Sequence, residues 1–309
     1  MSADKQFNKV VLAYSGGLDT SVMLHWLKAT YGCEVICYTA DVGQEEELDG
    51  LEEKAVNSGA SSAIVEDITE EFARDFVFPA VAANAVYEGV YLMGTSLARP
   101  LIGRRLAEVA MEHGADAVVH GATGKGNDQI RFELASYSVN PHIRVVAPWR
   151  YWEFEGRSDL IAYAKQHDIP ITSTLEKPYS IDENLWGCAI ECGEMEDLWA
   201  EPPPDCWRMT KDPSHAPKGS VQLILSFERG LPVAIDGRPM SGVALIEHLN
   251  DLAGEDWDLL PGIGEIDLSQ LSGLLPADAE RIVPIPASGD PIALMATLDY
   301  LATNQFRIE

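Results

Sequence analysis

Short apolar runs rich in valine and isoleucine alternate with longer amphipathic segments through the first half of the chain. The runs predict strands over Lys9–Tyr14, Glu34–Ala40, Ala63–Glu66, Ala117–His120 and Arg144–Ala147. The amphipathic segments predict helices over Thr20–Thr30, Glu45–Ser58, Glu70–Ala85, Ala98–His113 and Arg157–His167. Apolar strands separated by helices favour an α/β fold with a doubly wound parallel sheet.

The pattern changes past about Pro170, where proline-rich stretches interrupt it. Beyond Gly254 it weakens further. We therefore expect two domains, residues 1–170 and a second, α+β domain over 171–309. The elements predicted in the second half are strands over Val221–Glu228 and Pro232–Ile235 and helices over Val243–Leu252 and Ile292–Ala302.

The composition and the net charge limit the classes of partner that we expect for this protein. Hydrophobic residues make up 46% of the 309 positions and charged residues 23%, which indicates a globular protein. The formal net charge of −27 repels nucleic acid and anionic membranes, so we expect neither as a partner. The sequence shows no export segment and no apolar stretch of membrane-spanning length, so we expect a cytoplasmic protein. Its cysteines (Cys33, Cys37, Cys188, Cys192, Cys206) form no C-x-x-C pair, which favours buried thiols over metal ligands.

The first motif with chemical content is S-G-G-L-D-T, residues 15–20, directly after the first predicted strand. Adjacent glycines let the backbone approach a ligand, and N–H groups at a helix N-terminus hold phosphate oxygens. Asp19, Thr20 and Ser21 predict a capped helix start. The hexad lacks the lysine of a Walker A loop. An ordinary strand-to-helix turn also uses Ser-Gly-Gly, but the full hexad favours a pyrophosphate-binding loop.

The second motif is H-G-A-T-G-K-G-N-D-Q-I-R-F-E, residues 120–133. Three glycines favour a loop that approaches a ligand closely, and Lys125, Asn127, Asp128 and Arg131 supply charge and hydrogen-bonding groups. If Asp128 caps the next helix, it shares a face with Arg131. The alternative is a solvated loop in which Asp128 is only an N-cap. Because ligands bind at the carboxyl ends of parallel strands, both motifs are expected to face one crevice.

Two further stretches are polar and less specific. Residues 91–100 place Gly94, Thr95 and Ser96 before a helix, where a polar amino acid could dock or where the hydroxyls simply cap the helix. Residues 177–186 predict only a polar loop that leads into an aromatic residue.

In this order the motifs resemble those of the argininosuccinate synthase family, a member of the N-type ATP pyrophosphatases. The resemblance covers about residues 9–252 and rests on A-Y-S-G-G-L-D-T-S, Y-T-A-D-V-G-Q, G-T-S-L-A-R-P, H-G-A-T-G-K-G-N-D-Q and D-E-N-L-W-G. The GMP, asparagine and NAD synthetases share the S-G-G loop but not the other four blocks. The resemblance implies an adenine nucleotide alpha hydrolase-like first domain and a synthetase domain after it.

The resemblance also implies a reaction, in which citrulline is adenylated by ATP and the amine of aspartate then displaces AMP to give argininosuccinate, a step of arginine biosynthesis. It implies these ATP contacts: Ala13, Tyr14, Ser15, Gly16, Gly17, Leu18, Asp19, Thr20, Ser21, Ala40 and Gly121. It implies these citrulline contacts: Tyr91, Ser96, Asn127, Arg131 and Ser180. It implies these aspartate contacts: Thr123, Asn127 and Asp128. Mg²⁺ on the phosphates is expected near Asp19, although the sequence shows no metal site.

The sequence departs from the family in two places. Ala189 stands where the family usually has a serine that contacts citrulline. After Gly262–Asp267 a family block with a glutamate and a tyrosine for citrulline is absent, and Gln270 stands near the glutamate position. The C-terminal region is expected to be divergent and shortened. Whether the protein is a homo-oligomer or a monomer is therefore left open by the sequence. Two alternatives follow: a ligase of this family that joins aspartate to a different acceptor, or a degenerate nucleotide-binding paralogue that acts as a partner or regulator.

Overall fold

The computed structural model describes residues 7–44, 48–89, 91–123, 126–170, 180–191, 193, 197, 199, 208–209 and 223–255. The chain divides into two compact units, Met1–Ile68 with Ser96–Pro178, and Thr69–Thr95 with Tyr179–Glu309. The division at residue 170 expected from the sequence stays a prediction.

The first unit is built on a parallel sheet. Its strands are β1 (Lys9–Ala13), β2 (Glu34–Asp41), β3 (Ser62–Asp67), β4 (Ala117–Val119) and β5 (Arg144–Val146). They lie in the order β3-β2-β1-β4-β5, and every neighbouring pair is parallel. The predicted α/β class and parallel sheet are therefore confirmed.

The helices follow the predicted alternation with shifted ends. They are α1 (Leu18–Tyr31), α2 (Leu51–Asn57), α3 (Thr69–Phe72), α4 (Phe78–Ala82), α5 (Gly94–Glu112), α6 (Asp128–Val139), α7 (Arg157–Gln166) and α8 (Gly242–Glu255). The helix predicted over Glu70–Ala85 is observed from Thr69 to Ala82, and it contains a π-helical turn over Ala73–Val77 between α3 and α4. Pro79 lies two residues after this turn; it lacks an N–H and crowds the carbonyl four residues earlier, which favours the wider turn.

The core of the first unit lies between the central strands and α1. Val10 and Leu12 of β1 and Met23 and Leu27 of α1 are fully buried in one cluster. β4 is buried along its whole length as well. Central strands of a parallel sheet are covered on both faces, which is why these runs are continuously apolar rather than alternating.

The second unit contains a hairpin and a small antiparallel sheet. The hairpin joins β6 (Ser180–Asn184) to β7 (Gly187–Glu191). The sheet comprises β8 (Leu225–Glu228), β9 (Leu231–Ile235) and β10 (Arg238–Pro239). Phe227 and Ile235 of this sheet form a small core with Leu245 and Leu249 of α8.

The loop predicted over residues 177–186 is therefore wrong where the structure describes it. β6 is a strand with polar residues, and its backbone pairs with β7, which begins after a turn of only two residues. A local hairpin partner can hold such a strand without the apolar alternation on which the prediction depends. The predicted helix over Ile292–Ala302 and residues 171–179 lie outside the described residues.

Candidate functional site

The sheet of the first unit has a topological switch point beside β1. The chain passes from β1 to β2 on one side of the sheet and enters β4 on the other. Leu12 pairs with Val119 in parallel register, so Ala13 and His120 come next on neighbouring strands. The two glycine motifs therefore begin side by side at the carboxyl end of the sheet, where open α/β sheets bind ligands.

The two motifs also touch beyond the strand ends. A Cβ atom on Gly121 would lie 3.5 Å from Cγ2 of Thr20 and 3.7 Å from Cε of Met23. Those are ordinary van der Waals separations. Gly121 of the second motif is thus packed against the first turn of α1, in which the first motif ends.

Gly16 gives the first loop its shape. Its φ is +74°, in the left-handed region that favours glycine. A Cβ atom on Gly16 would lie 2.4 Å from Cδ1 of Leu51 in α2, which no side chain tolerates without a shift. Nζ of Lys54, one turn further along α2, donates a hydrogen bond to the carbonyl oxygen of Gly16 at 2.7 Å. Helix α2 therefore supports the loop from behind through one apolar and one charged side chain.

Hydroxyl groups hold the two ends of the first loop together. Oγ of Ser15 lies 3.2 Å from Oγ1 of Thr20, and the N–H of Gly17 donates to Oγ of Ser15 at 3.3 Å. The phenol oxygen of Tyr14 lies 3.4 Å from Oγ of Ser21. Residues 15 and 17 are exposed, whereas Thr20 and Ser21 are buried. The loop therefore has an ordered inner side and an accessible outer side.

The predicted capped start at residues 19–21 is wrong, because α1 begins earlier. Gly17 is the N-cap, and no side chain caps the helix. The first intrahelical bond runs from the N–H of Ser21 to the carbonyl oxygen of Gly17, at 3.1 Å. The N–H groups of the first turn precede it and have no carbonyl partner within the helix. With the positive end of the helix dipole they form a site suited to phosphate.

Asp19 is a half-buried carboxylate in this first turn. Burial raises its pKa, and the positive charge of Arg157 partly offsets that effect. Removal from water penalises a carboxylate that has too little positive charge nearby. A cation at the loop would supply that charge.

Ala40 lies near the carboxyl end of β2 and is buried. The side chain of Gln44 fixes the turn that follows it: Nε2 donates to the carbonyl oxygen of Ala40 at 3.0 Å, and Oε1 accepts from the N–H of Val42 at 2.8 Å. The side chain at this strand end is a single methyl group.

The second loop leads into α6. Thr123 and Asn127 are exposed, and the N–H of Gly126 donates to the carbonyl oxygen of Thr123 at 3.3 Å. Asn127 is the N-cap, and its carbonyl oxygen accepts from the N–H of Ile130 at 3.1 Å. Residues 124 and 125, including the lysine of the motif, lie outside the described residues.

Asp128 is not the N-cap but the first residue of α6. Its Oδ1 accepts a hydrogen bond from Nη1 of Arg131 at 2.5 Å, so the expected common face is observed. Its Oδ2 accepts from Nε of Arg99 in α5 at 3.1 Å. Arg99 was not predicted as a site residue: it lies in the G-T-S-L-A-R-P block, but no spacing rule links it to a residue 29 positions later.

A polar network is attached to the second loop; Gln129 within it is buried, whereas Arg150 is exposed. Nε2 of Gln129 donates to the carbonyl oxygen of Thr123. Oε1 of Gln129 accepts from Nε of Arg150, and Nη2 of Arg150 donates to Oε1 of Glu133. Neither Gln129 nor Arg150 was predicted from the sequence to have a role in the site.

His120 lies beside this network and is completely buried. Its ring stacks on Phe132 with 5.3 Å between centroids, and its Nε2 is 3.8 Å from Oε1 of Glu133, beyond hydrogen-bonding distance. Neither ring nitrogen has a hydrogen-bond partner in the described part of the chain. Burial lowers the pKa of His120 to about 4, so the ring is neutral at pH 7.

The remaining candidates are divided between the units. Ser96 is half-buried in the first turn of α5. In the second unit, Tyr91 is exposed and pairs with Tyr87 in an isolated bridge, with N–H to O distances of 2.8 and 3.0 Å. Ser180 is the first residue of β6, and Ala189 of β7 pairs with Asp182. Gln270 lies outside the described residues.

The described residues contain neither a metal-binding cluster nor a membrane-spanning helix. No group of three or more His, Cys, Asp or Glu side chains among them is placed to hold a metal ion. No helix in that part of the chain is long and apolar enough to cross a membrane. Cys33 and Cys37 are buried, and burial raises the pKa of the Cys37 thiol to about 12.

A five-stranded parallel sheet with a glycine-rich S-G-G loop at its switch point defines an α/β protein of the HUP-domain class. Two family models match the chain, the Arginosuccinate synthase N-terminal HUP domain over residues 9–170 and the Arginosuccinate synthase C-terminal domain over residues 179–270. The chain belongs to the argininosuccinate synthase family, as its motifs predict.

Curated relatives are similar over most of this chain. The argininosuccinate synthase of Syntrophus aciditrophicus is 55% identical over 267 residues, which cover 86% of this chain and 65% of the relative. That of Leptospira biflexa is 55% identical over 260 residues, with 84% and 63% covered. That of Oleidesulfovibrio alaskensis is 54% identical over 265 residues, with 85% and 65% covered. The chain thus spans just under two thirds of the length of these relatives.

Proposed function

We propose that this chain is an argininosuccinate synthase, which ligates citrulline and aspartate at the expense of ATP. The main support for this proposal is that the two motifs lie side by side at the switch point, where Gly121 packs against Thr20. One motif is built for phosphate, and the other presents hydrogen-bonding and charged groups suited to an amino acid. The names of the curated relatives support the same activity.

ATP is proposed to bind with its phosphates on residues 13–21, beside Ala40 and Gly121. The free N–H groups of the first turn of α1 and its dipole would stabilise negative charge on the departing pyrophosphate. Lys54 places a positive charge 2.7 Å from the loop carbonyl of Gly16. The loop itself has no lysine, so this charge comes from the neighbouring helix.

Mg²⁺ is proposed to accompany ATP. It prefers oxygen ligands and commonly binds through one or two carboxylates together with substrate phosphates. Asp19 fits this requirement, because its half-buried carboxylate stands in the first turn of the phosphate-loop helix. When bound, the ion would supply Lewis-acid stabilisation of the phosphate charge.

The amino acids are proposed to bind at the positions that the family resemblance assigns. Aspartate would contact Thr123, Asn127 and Asp128. Citrulline would contact these residues: Tyr91, Ser96, Asn127, Arg131 and Ser180. The trio of Asp128, Arg99 and Arg131 carries one negative and two positive charges. The two guanidinium groups of this trio are suited to donate hydrogen bonds to a substrate carboxylate.

The reaction needs positioning more than acid–base catalysis. In the first step the ureido oxygen of citrulline attacks the α-phosphorus, the bond to the bridging oxygen breaks, and pyrophosphate leaves with the electron pair. In the second step the aspartate amine attacks the ureido carbon, the carbon–oxygen bond breaks, and AMP leaves while the amine proton passes to solvent. Loops that align these atoms and stabilise phosphate charge lower both barriers.

The direct test is release of AMP and pyrophosphate by the purified protein with Mg-ATP and citrulline, aspartate, both or neither. We expect AMP only when both amino acids are present, and argininosuccinate as the product identified by mass spectrometry. Measurable ATP binding without turnover under all four conditions would contradict the proposal.

A different acceptor is the second candidate, and Ala189 favours it. The family usually has a serine hydroxyl for citrulline at this position, and here β7 offers a methyl group. Loss of a neutral hydrogen bond weakens binding by about 1 kcal/mol. Aspartate-dependent AMP release with other ureido or amide compounds, but not with citrulline, would favour this candidate.

The proposal also covers the cellular compartment and the oligomeric state of the protein. We place the protein in the cytoplasm, and the buried reduced thiols of Cys33 and Cys37 fit a reducing compartment. Homo-oligomerisation is a further expectation, and light scattering of the purified chain measures it.

A further inference from the structure

We infer that Arg150 is a positioning residue for the aspartate step, acting through Gln129 and Glu133 on the loop that carries Thr123. This inference rests on the proposed function, in which Thr123 contacts aspartate. It adds a role for residues that the motif comparison does not assign.

Gln129 links the loop to the rest of the unit. It is only 5% exposed, and both ends of its amide are used. Its Nε2 donates to the carbonyl oxygen of Thr123, and its Oε1 accepts from Nε of Arg150. A buried amide whose two ends are both satisfied holds its partners in one arrangement, because any shift leaves a polar atom unpaired.

The side chain of Arg150 donates hydrogen bonds to two successive turns of α6. While its Nε donates to Gln129, its Nη2 donates to Oε1 of Glu133, four residues further along the helix. A planar guanidinium can make both bonds in one fixed orientation. The first turn of α6, which also carries Asp128, is thereby fixed relative to Arg150.

Arg150 is itself held by the end of the neighbouring strand. It ends a short 3₁₀ turn, Pro148–Arg150, just after β5, and its N–H donates to the carbonyl oxygen of Ala147 at 3.0 Å. β5 pairs with β4, from which the second loop leaves. The network therefore ties the loop after β4 to the end of β5 at two points, through the sheet and through Arg150.

The nucleotide loop has a separate support. Its supporting side chains, Leu51 and Lys54, come from α2, which connects β2 to β3 on the other side of β1. Gln129 holds the loop at Thr123, a contact proposed for aspartate alone. Loss of Arg150 should therefore impair the use of aspartate more than adenylation, which draws on Asn127 and Arg131 of the same segment. A purely structural role would lower both activities together.

The test separates the two half-reactions in the full chain. Citrulline-dependent exchange of labelled pyrophosphate into ATP reports adenylation without aspartate, and AMP release against aspartate concentration reports the second step. Calorimetry with an unreactive ATP analogue measures aspartate binding directly. The variants are Arg150→Gln and Arg150→Lys, with Arg74→Gln as the matched control, because Arg74 forms an exposed ion pair with Asp75 in the second unit.

For Arg150→Gln we expect exchange within about twofold of the unsubstituted protein and an aspartate KM raised about tenfold, because both guanidinium hydrogen bonds to α6 are lost. Arg150→Lys should be intermediate, because lysine keeps the charge near Glu133 but cannot make both bonds. Arg74→Gln should change neither readout.

An unchanged aspartate KM in Arg150→Gln, or an equal fall in exchange and in AMP release, overturns the inference. If the unsubstituted protein shows no exchange, the proposed function fails, and aspartate binding then decides the inference by itself. Weaker aspartate binding by Arg150→Gln would sustain it, while equal binding or none by both proteins would overturn it.

Discussion

Nε of Arg99 in α5 donates a hydrogen bond to Oδ2 of Asp128, the first residue of α6, at 3.1 Å. Arg131 binds the other oxygen of the same carboxylate at 2.5 Å. The negative charge of Asp128 is therefore already balanced by two guanidinium groups when no substrate is bound. It serves as the anchor of two guanidinium groups as well as a candidate contact for the substrate amine.

Substitution of Asp128 should separate nucleotide binding from transfer to aspartate. We expect Asp128→Ala to keep its ATP affinity within about twofold while aspartate-dependent AMP release is abolished, because the amine contact and the anchor of both arginines are lost. The free energy of unfolding should fall by about 1 kcal/mol, the size of a part-exposed ion pair. Nucleotide titration, turnover assays and denaturant melts measure the three effects.

Asp75→Ala is the matched control, since Asp75 pairs with Arg74 on the surface of the second unit. It should not alter turnover. Unchanged turnover in Asp128→Ala itself would remove this residue from the proposed aspartate site.

Gly16 should tolerate no side chain. Gly16→Ala would combine a φ of +74° with a Cβ atom 2.4 Å from Leu51, and we expect a loss of about 3 kcal/mol in the free energy of unfolding together with loss of ATP binding. Gly32→Ala is the matched control, because Gly32 has a φ of +62° with nothing within 4 Å. It should cost about 1 kcal/mol and leave ATP binding intact. Equal losses in the two variants would show that Leu51 does not constrain the loop.

Lys54 should matter for ATP. Lys54→Met removes a charged hydrogen bond to the carbonyl oxygen of Gly16, and we expect the Kd for ATP to rise about tenfold. Lys28→Met is the comparison, because Lys28 is exposed and also donates to a glycine carbonyl, that of Gly59, outside the proposed site. Its Kd should stay within about twofold. Equal effects from both lysines would point to net charge and not to position.

His120 should make stability depend on pH. Burial holds its folded pKa at about 4, below the unfolded value near 6.5, so between these values the unfolded chain binds more protons. Stability attributable to this residue is therefore fully present above about pH 6.5 and is lost as the pH falls towards 4. Between pH 7 and 5 the loss is about 2 kcal/mol.

His120→Phe removes this titration and keeps a ring beside Phe132. Urea melts of both proteins at pH 7 and pH 5 should show a smaller pH effect in the variant. The same pH effect in both would mean that other groups account for the acid sensitivity.

Ala189→Ser should tighten citrulline binding. The serine restores the hydroxyl that the family usually has at this position, and we expect the Kd for citrulline to fall by roughly three- to tenfold, which corresponds to about 1 kcal/mol. Calorimetric titration of both proteins measures it. Cys188→Ser, at the neighbouring position of the same strand, controls for a general effect of serine in β7. No change in Ala189→Ser would exclude this contact.

Much of the fold was predictable because its signals are local. The five strands of the parallel sheet carry continuous apolar runs, and each predicted strand is observed within about one or two residues of its bounds. The helix ends were less predictable. α1 begins at Leu18 and not at a capping hydroxyl, because Gly17 and the left-handed Gly16 set the turn before it. The hairpin at β6 was missed because polar strands have no apolar alternation to read.

The sequence by itself determined the parallel α/β core and the two glycine motifs. The period of the apolar residues indicates which positions are buried. Residues of one loop are also close in sequence, so a loop motif can be recognised from the sequence alone. The tertiary structure decided which distant residues support those motifs: Lys54 behind Gly16, Arg99 on Asp128, and Arg150 on Gln129. These contacts join residues 21 to 38 positions apart, and the partners are determined by strand order and helix packing. No local pattern in the chain encodes such a choice.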